Sequence, residues 1–468
     1  MTNKLLLYFS KIQAKELPKL EAFVRSPFFN SDQAVLKMMV DLIGLWPDLP
    51  EQKEEIYALA YPNTPYDAKE FRYLISNSAA LISRFWSIRF YEKNEPQMLL
   101  NKMTIYSEKE LDKSYRQIVR KWEVLERESK SNSQDWYWYD IRFKQIKEVE
   151  FGRKKIRHFD QNITSLVTSL DKYYYLQRLS SACSILDRQA IFKGDNKPLP
   201  PDWFTYLKAH NLFEDPLIET YYVLWEMLNY PEEKKHFDKF LLQLKDPELE
   251  SDFSSLRPLY LAAVNYSLRK LRQGKQEYRE IALQLYSEAI ERKILLENGV
   301  LSPWSFGNVV KLATQLHRYD WAIEFIETKA KLLPDSFKKD ALHFNLAEVN
   351  YVTKDFATAQ HHLLKVSYSD LNYYLGARIL LSKIYYELND EEPLLSLISS
   401  FTIFLKRNKD LSPNIKNSCL GFCDVLFQLV RKHPKNFAKL ESKIKELPFL
   451  AERDWLMLRW AELEVGLS

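Results

Sequence analysis

Along most of the chain, apolar side chains return every three or four residues, the spacing that gathers them on one face of an α-helix. Over the first hundred residues this predicts a compact helical module. Pro18 suits the start of a short helix carrying Leu20, Phe23 and Val24, and Ser26-Pro27 stops it, because proline disfavours the α region in the residue before it. Asn30-Ser31-Asp32 can cap a second helix carrying Val35, Leu36, Met39, Leu42 and Ile43, which Pro47 and Pro50 break. Tyr61-Pro62-Asn63-Thr64-Pro65 is another break. From Asp67 a long helix is expected to turn Phe71, Leu74, Ile75, Leu81, Ile82 and Phe85 inward.

From about Ser107 to Arg157 the pattern becomes longer, more charged, rich in Trp and Tyr and free of Pro. It predicts two long helices, split near Ser129 to Gln134, forming a hairpin. A further helix is expected from Asn162 to about Ile191, and Lys193-Gly194-Asp195-Asn196-Lys197-Pro198 with Pro200-Pro201 is the clearest linker. Beyond Asp202, helical segments of about ten to twenty residues alternate with short breaks, as helical repeats require. Alternating strand patterns are nearly absent, and Asn298-Gly299 follows a helical pattern, so it reads as a helix C-terminus rather than a hairpin turn. The expectation is an all-α fold: an N-terminal helical module at 1–105, a long hairpin and connecting helix at 106–200, and an α-solenoid of antiparallel helix pairs at 201–468.

Composition narrows the chemistry. Nine glycines in 468 residues is far below the roughly 7% of average proteins, with no G-x-G and no G-x-x-x-x-G-K-[ST]. That argues against Rossmann, kinase and P-loop nucleotide sites, which need glycine where backbone approaches phosphate. Three cysteines cannot frame a disulfide scaffold, and Leu5-Leu6-Leu7 is too short for a secretory core, which points to the cytoplasm. No apolar run is long enough to cross a bilayer. A net charge of +4, from 67 basic and 63 acidic residues, exerts no strong global pull on nucleic acid.

Between about Leu261 and Leu405 the helix pairs carry a recurring pattern. Its best copy is Phe344-Asn345-Leu346-Ala347, then Tyr351, then Asp355-Phe356-Ala357-Thr358-Ala359 and Leu363. The preceding copy ends in Tyr319-Asp320-Trp321-Ala322-Ile323-Glu324-Phe325-Ile326, closed by Pro334. This resembles the tetratricopeptide repeat, W-x-x-L-G-x-x-Y then A-x-x-x-F then P. Ala282, Ala322, Ala359 and Leu394 occupy the small-residue position of successive second helices, at spacings of 40, 37 and 35 residues, slightly above the family's 34. Where the family has Gly, the chain has Val310, Ala347 and Ser382. The chain is also similar to a broad group of uncharacterised bacterial helical-repeat proteins, through Arg25-Ser26-Pro27-Phe28-Phe29-Asn30 and Asp454-Trp455-Leu456; that likeness implies no activity. The repeat resemblance implies a peptide groove lined by first helices, which places Asn308, Lys311, Asn345, Glu348 and Lys383 in it. Asn offers a donor and an acceptor to an extended backbone, and Lys can meet a carboxylate. The bland alternative is that all five are ordinary solvated positions.

Other candidates have plain readings. Cys419 and Cys423 share a helix face, but the nearest histidine, His433, lies beyond common zinc spacing, so buried free thiols are expected. His361 and His362 are adjacent and point about 100 degrees apart on a helix, which suits a shared metal poorly even with His343 nearby. No nucleophile elbow or catalytic Cys/His signature occurs. The segment Trp136 to His158 interleaves aromatics with Arg153, Lys154, Lys155 and Arg157, a mixture able to stack on unpaired bases and meet phosphates; Asp135, Asp140, Glu148 and Glu150 interrupt it. The expectation is a non-enzymatic scaffold without metal or cofactor that holds a protein or peptide segment, with a nucleic-acid-associated regulator as the alternative.

Overall fold

The computed structural model describes residues 4–128, 134–155, 160–190, 203–209, 214–247, 253–367, 370–431 and 437–467, and the single residues 199 and 249. Within them the fold is all-α, with 23 α-helices and one two-stranded sheet. Contacts group the chain into two compact units, residues 1–178 with 204–214, and residues 179–203 with 215–468. The boundary expected at 105 therefore falls inside the first unit. Among the described residues no helix is long and apolar enough to cross a membrane.

The first unit contains α1 (Lys4–Phe9), α2 (Leu17–Arg25), α3 (Gln33–Leu45), α4 (Lys53–Ala60), α5 (Ala68–Lys93), α6 (Glu95–Glu108), α7 (Asp112–Glu128) and α8 (Gln134–Arg153), while α9 (Asn162–Gln189) and α10 (Trp203–Ala209) contribute to both units. Helix starts follow side-chain chemistry. The Asp32 carboxylate accepts from the Ala34 and Val35 amides at the head of α3, and Asp67 does the same for Lys69 and Glu70 at α5. The core of this region is closed by Val24, Met39, Leu42, Ile56 and Ile82, none of which is exposed. Helices α7 and α8 are the expected pair, but α6 precedes them as a helix the sequence reading did not separate. Asn94 caps it by accepting from the Gln97 amide, and Leu99, Leu100 and Met103 face inward. Trp122 of α7 stacks on Trp136 at 5.2 Å and on Phe143 at 4.7 Å, both from α8.

The second unit continues with α11 (Pro216–Asn229), α12 (Lys234–Gln243), α13 (Phe253–Arg272) and α14 (Tyr278–Glu291). Next come β1 (Leu296–Glu297), β2 (Val300–Leu301), α15 (Pro303–Gln315), α16 (Tyr319–Lys329), α17 (Asp335–Val352), α18 (Phe356–Leu363) and α19 (Leu371–Glu387). It closes with α20 (Glu391–Arg407), α21 (Pro413–Arg431), α22 (Phe437–Glu446) and α23 (Arg453–Leu467). From α13 to α20 each helix packs on its successor, and α17 also packs on both α15 and α19. Ala282, Ala322, Ala359 and Leu394 sit on α14, α16, α18 and α20, and each is fully buried. Val310, Ala347 and Ser382 on α15, α17 and α19 are buried as well.

Asn298-Gly299 corrects the sequence reading. Helix α14 stops at Glu291, and the pair forms the tip of an antiparallel hairpin in which Leu296 faces Leu301 and Glu297 faces Val300. Asn298 has φ 53° and Gly299 φ 82°, the two positive values that a type I′ hairpin turn demands. A helix C-terminus would ask for only one such residue.

Candidate functional site

Helices α15, α17 and α19 together wall a pocket of about 500 Å³, within the roughly 300–1,000 Å³ range of ligand sites. On α15, Pro303 takes the first helical position, followed by Trp304, Gly307, Asn308 and Lys311, whose three- and four-residue steps bring them to one face. On α17 the steps from Phe337 to Phe344, Asn345 and Glu348 do the same. Asp370 caps α19 by accepting from the Asn372 and Tyr373 amides, which holds the Tyr373 ring at the pocket's third wall.

The lining is largely aromatic. Tyr373 stands edge-on to Phe344 at 5.6 Å and to Phe337 at 6.5 Å, and Trp304 leaves 70% of its surface exposed at the mouth. Phe344 reaches this position only because residue 376 is glycine: a Cβ there would lie 2.8 Å from two of its ring carbons.

Among these rings are polar groups without partners. Asn345 is 1% exposed; its Nδ2 donates to the Ala341 carbonyl at 2.7 Å, which fixes the amide orientation, and its Oδ1 has no hydrogen-bond partner. A Cβ built on Gly307 would lie 3.8 Å from that oxygen, which places it at the pocket wall. Glu348 makes no hydrogen bond or ion pair among the described residues. Burial pushes its carboxyl up to about 7, against the pull of Lys311 and Lys383 and with a further push from Glu452. The Tyr373 hydroxyl is raised to about 12 by burial and by the nearby carboxylates of Asp370, Glu348 and Asp340.

Of the five residues expected in a groove, Asn308, Lys311, Asn345 and Glu348 meet on this pocket. Asn308 donates from Nδ2 to the Tyr286 hydroxyl at 3.0 Å, and Lys311 is exposed and makes no ion pair among the described residues. Lys383 is not among the residues lining the pocket: its Nζ donates to Glu452 at 2.7 Å and sits over the rings of Tyr351, at 4.8 Å, and Trp455, at 5.5 Å. The sequence reading missed Trp304, Phe337 and Tyr373. The first two stand four residues before Asn308 and seven before Phe344 on the same helix faces, a signal that was present.

The basic aromatic segment is differently disposed. Arg153 pairs with Glu150 at 2.8 Å and with Asp112 at 3.2 Å, and Lys154 meets the same two carboxylates at 3.0 and 3.2 Å. Lys155 is exposed, and Arg157 lies outside the described residues. Trp136, Tyr137 and Phe143 are buried; Trp138 is half exposed.

Burial raises the Cys419 and Cys423 thiols to about 11 and 12. His343 and His362 approach through their Nδ1 atoms at 3.1 Å, and burial lowers both imidazoles. Among the described residues no group of three or more His, Cys, Asp or Glu is placed to hold a metal ion. Comparison with family models, with curated proteins and with solved structures finds no match for the chain.

Proposed function

We propose that the protein is a non-enzymatic interaction scaffold whose helix pairs α13 to α20 form a tetratricopeptide-like solenoid, and that it holds an extended peptide or protein segment against α15, α17 and α19. The observation that carries this reading is the pocket on three successive first helices, where apolar rings surround a few unpartnered polar groups. That combination is typical of a preformed recognition site. A single helix pair cannot bury both its apolar faces, so stacked pairs leave one shared face open, and the pocket lies on it. Because the walls are helices packed on one another, binding orders little of the scaffold. Three unpaired buried cysteines suit a cytoplasmic setting. The nucleic-acid alternative gains no support, since Arg153 and Lys154 already face carboxylates and Trp136, Tyr137 and Phe143 are buried.

The test is selection of a random peptide library on the full-length protein, followed by binding of the enriched peptides to Gly307→Leu, which adds an isobutyl group at the pocket wall. Peptides should bind the wild type and be lost from the variant with its helix content intact. Failure to enrich any peptide, or enrichment of peptides indifferent to the filled pocket, removes the groove.

A further inference from the structure

We propose that the pocket of α15, α17 and α19 recognises the guanidinium of an arginine side chain, stacked on its aromatic walls and donating to Asn345 Oδ1 and the Glu348 carboxylate. This rests on the reading of the pocket as a peptide site and adds the chemistry of what enters it.

Three observations converge. The buried pocket group that lacks a partner is an acceptor. Asn345 donates through Nδ2 to the Ala341 carbonyl of its own helix and leaves Oδ1 without a partner, while the half-buried Glu348 carboxylate makes no hydrogen bond or ion pair among the described residues. An occupant that satisfies both must bring N–H groups. Second, the walls are Trp304, Phe337, Phe344 and Tyr373, whose ring faces carry negative potential and attract cations, Trp most strongly. Third, the charges favour the same sign. Asp370 and Glu348 line the pocket, and among the described residues the one cation on its lining is Lys311, an exposed residue that can swing into water; Lys383 is paired with Glu452. A carboxylate occupant would meet two carboxylates, an unpaired amide oxygen and an aromatic lining, with a single lysine in its favour.

Arginine fits better than lysine on geometry. Its planar fork stacks on a ring while directing separate N–H groups at two acceptors, whereas an ammonium is a strongly hydrated point charge. Entry of the guanidinium also supplies the counter-charge that Glu348 lacks, so the carboxyl that burial keeps partly protonated near neutrality would ionise as the pocket fills.

The experiment uses full-length protein labelled with 5-fluorotryptophan, with the Trp304 fluorine resonance assigned by its loss in Trp304→Phe. Four capped tripeptides, glycine-X-glycine with X arginine, lysine, citrulline or glutamate, are titrated at pH 8. The arginine peptide should move the Trp304 resonance and bind at least tenfold more tightly than its neutral citrulline isostere, with lysine between them. Glu348→Gln should lower the arginine affinity at least tenfold and leave citrulline unchanged. Equal binding of arginine and citrulline, or preference for glutamate, overturns the cation assignment while leaving a peptide groove in place. If none of the four moves Trp304 at millimolar concentration, and library peptides are also indifferent to Gly307→Leu, the assignment and the groove fall together.

Discussion

Glu348→Gln should make the protein more stable at pH 8 and change it little at pH 4. The folded carboxyl titrates near 7 against an ordinary 4.5. Between those values the folded state therefore holds a proton that the unfolded chain has released, and stability falls as pH rises. The contribution is fully present below 4.5 and is lost once pH passes 7. A shift from 4.5 to about 7, at about 1.4 kcal/mol for each pKa unit, makes the ionised carboxylate a burden of about 3 kcal/mol at pH 8. Glutamine keeps the size and hydrogen-bonding pattern of the protonated acid and carries no charge, so it escapes that burden. The groups that set the field are Lys311 on α15, Lys383 on α19, and Glu452 just before α23; none changes in the variant. Pulse hydrogen exchange across a urea titration, read on peptides covering α17, isolates the unit concerned, and comparing both proteins at each pH cancels every other titrating group. A gain that is equal at pH 4 and pH 8 would mean that Glu348 is hydrated or paired, and the electrostatic case for a cation site would go with it.

Gly307→Ala should stabilise α15 by about 1 kcal/mol, the helix-propensity difference, because its new methyl meets only Asn345 Oδ1 at 3.8 Å; the same urea titration checks this, and weaker arginine-peptide binding should accompany it. Gly376→Ala puts a carbon 2.8 Å from Phe344 and should cost about 1–3 kcal/mol through forced repacking, with a displaced Trp304 fluorine resonance. A stable variant with an unmoved resonance would show that the ring has room to give. In the first unit, Arg153, then Ser107 and Lys154, hold the 4% exposed Glu150 carboxyl at about 2. Its contribution is present above 4.5 and lost as pH falls through 2, so Glu150→Gln should lose about 1–3 kcal/mol at pH 7 and nothing at pH 2, measured by thermal unfolding of that unit.

How much of this could be read from the sequence depends on how local each signal is. The helix pairs were legible because a 3.6-residue period is written within each helix, and the small residues at 282, 322 and 359 record where helices must approach closely. Asn298-Gly299 was misread because both a helix end and a hairpin favour positive φ there. What separates them is the pairing of Leu296 with Leu301 across the turn. Four groove positions came from the first-helix register, while nothing local in the sequence showed that Lys383 pairs with Glu452, 69 residues further along. The basic run likewise gave no sign that Asp112, on a different helix, pairs with Arg153 and Lys154 alongside Glu150.

The pocket's unpaired acceptors are the feature least legible in sequence, because being unpaired is a property of neighbours. An asparagine and a glutamate three residues apart on a helix give no sign that nothing will satisfy them. In the folded protein Asn345 Oδ1 stands out because buried polar groups are almost always paired, and leaving one unpaired costs about 1–3 kcal/mol. Simple packing would be better served by an apolar residue at 345. Keeping Asn345 against that cost is what a site does when its missing partner arrives from outside, and an arginine side chain would satisfy it while pairing with Glu348 beside it.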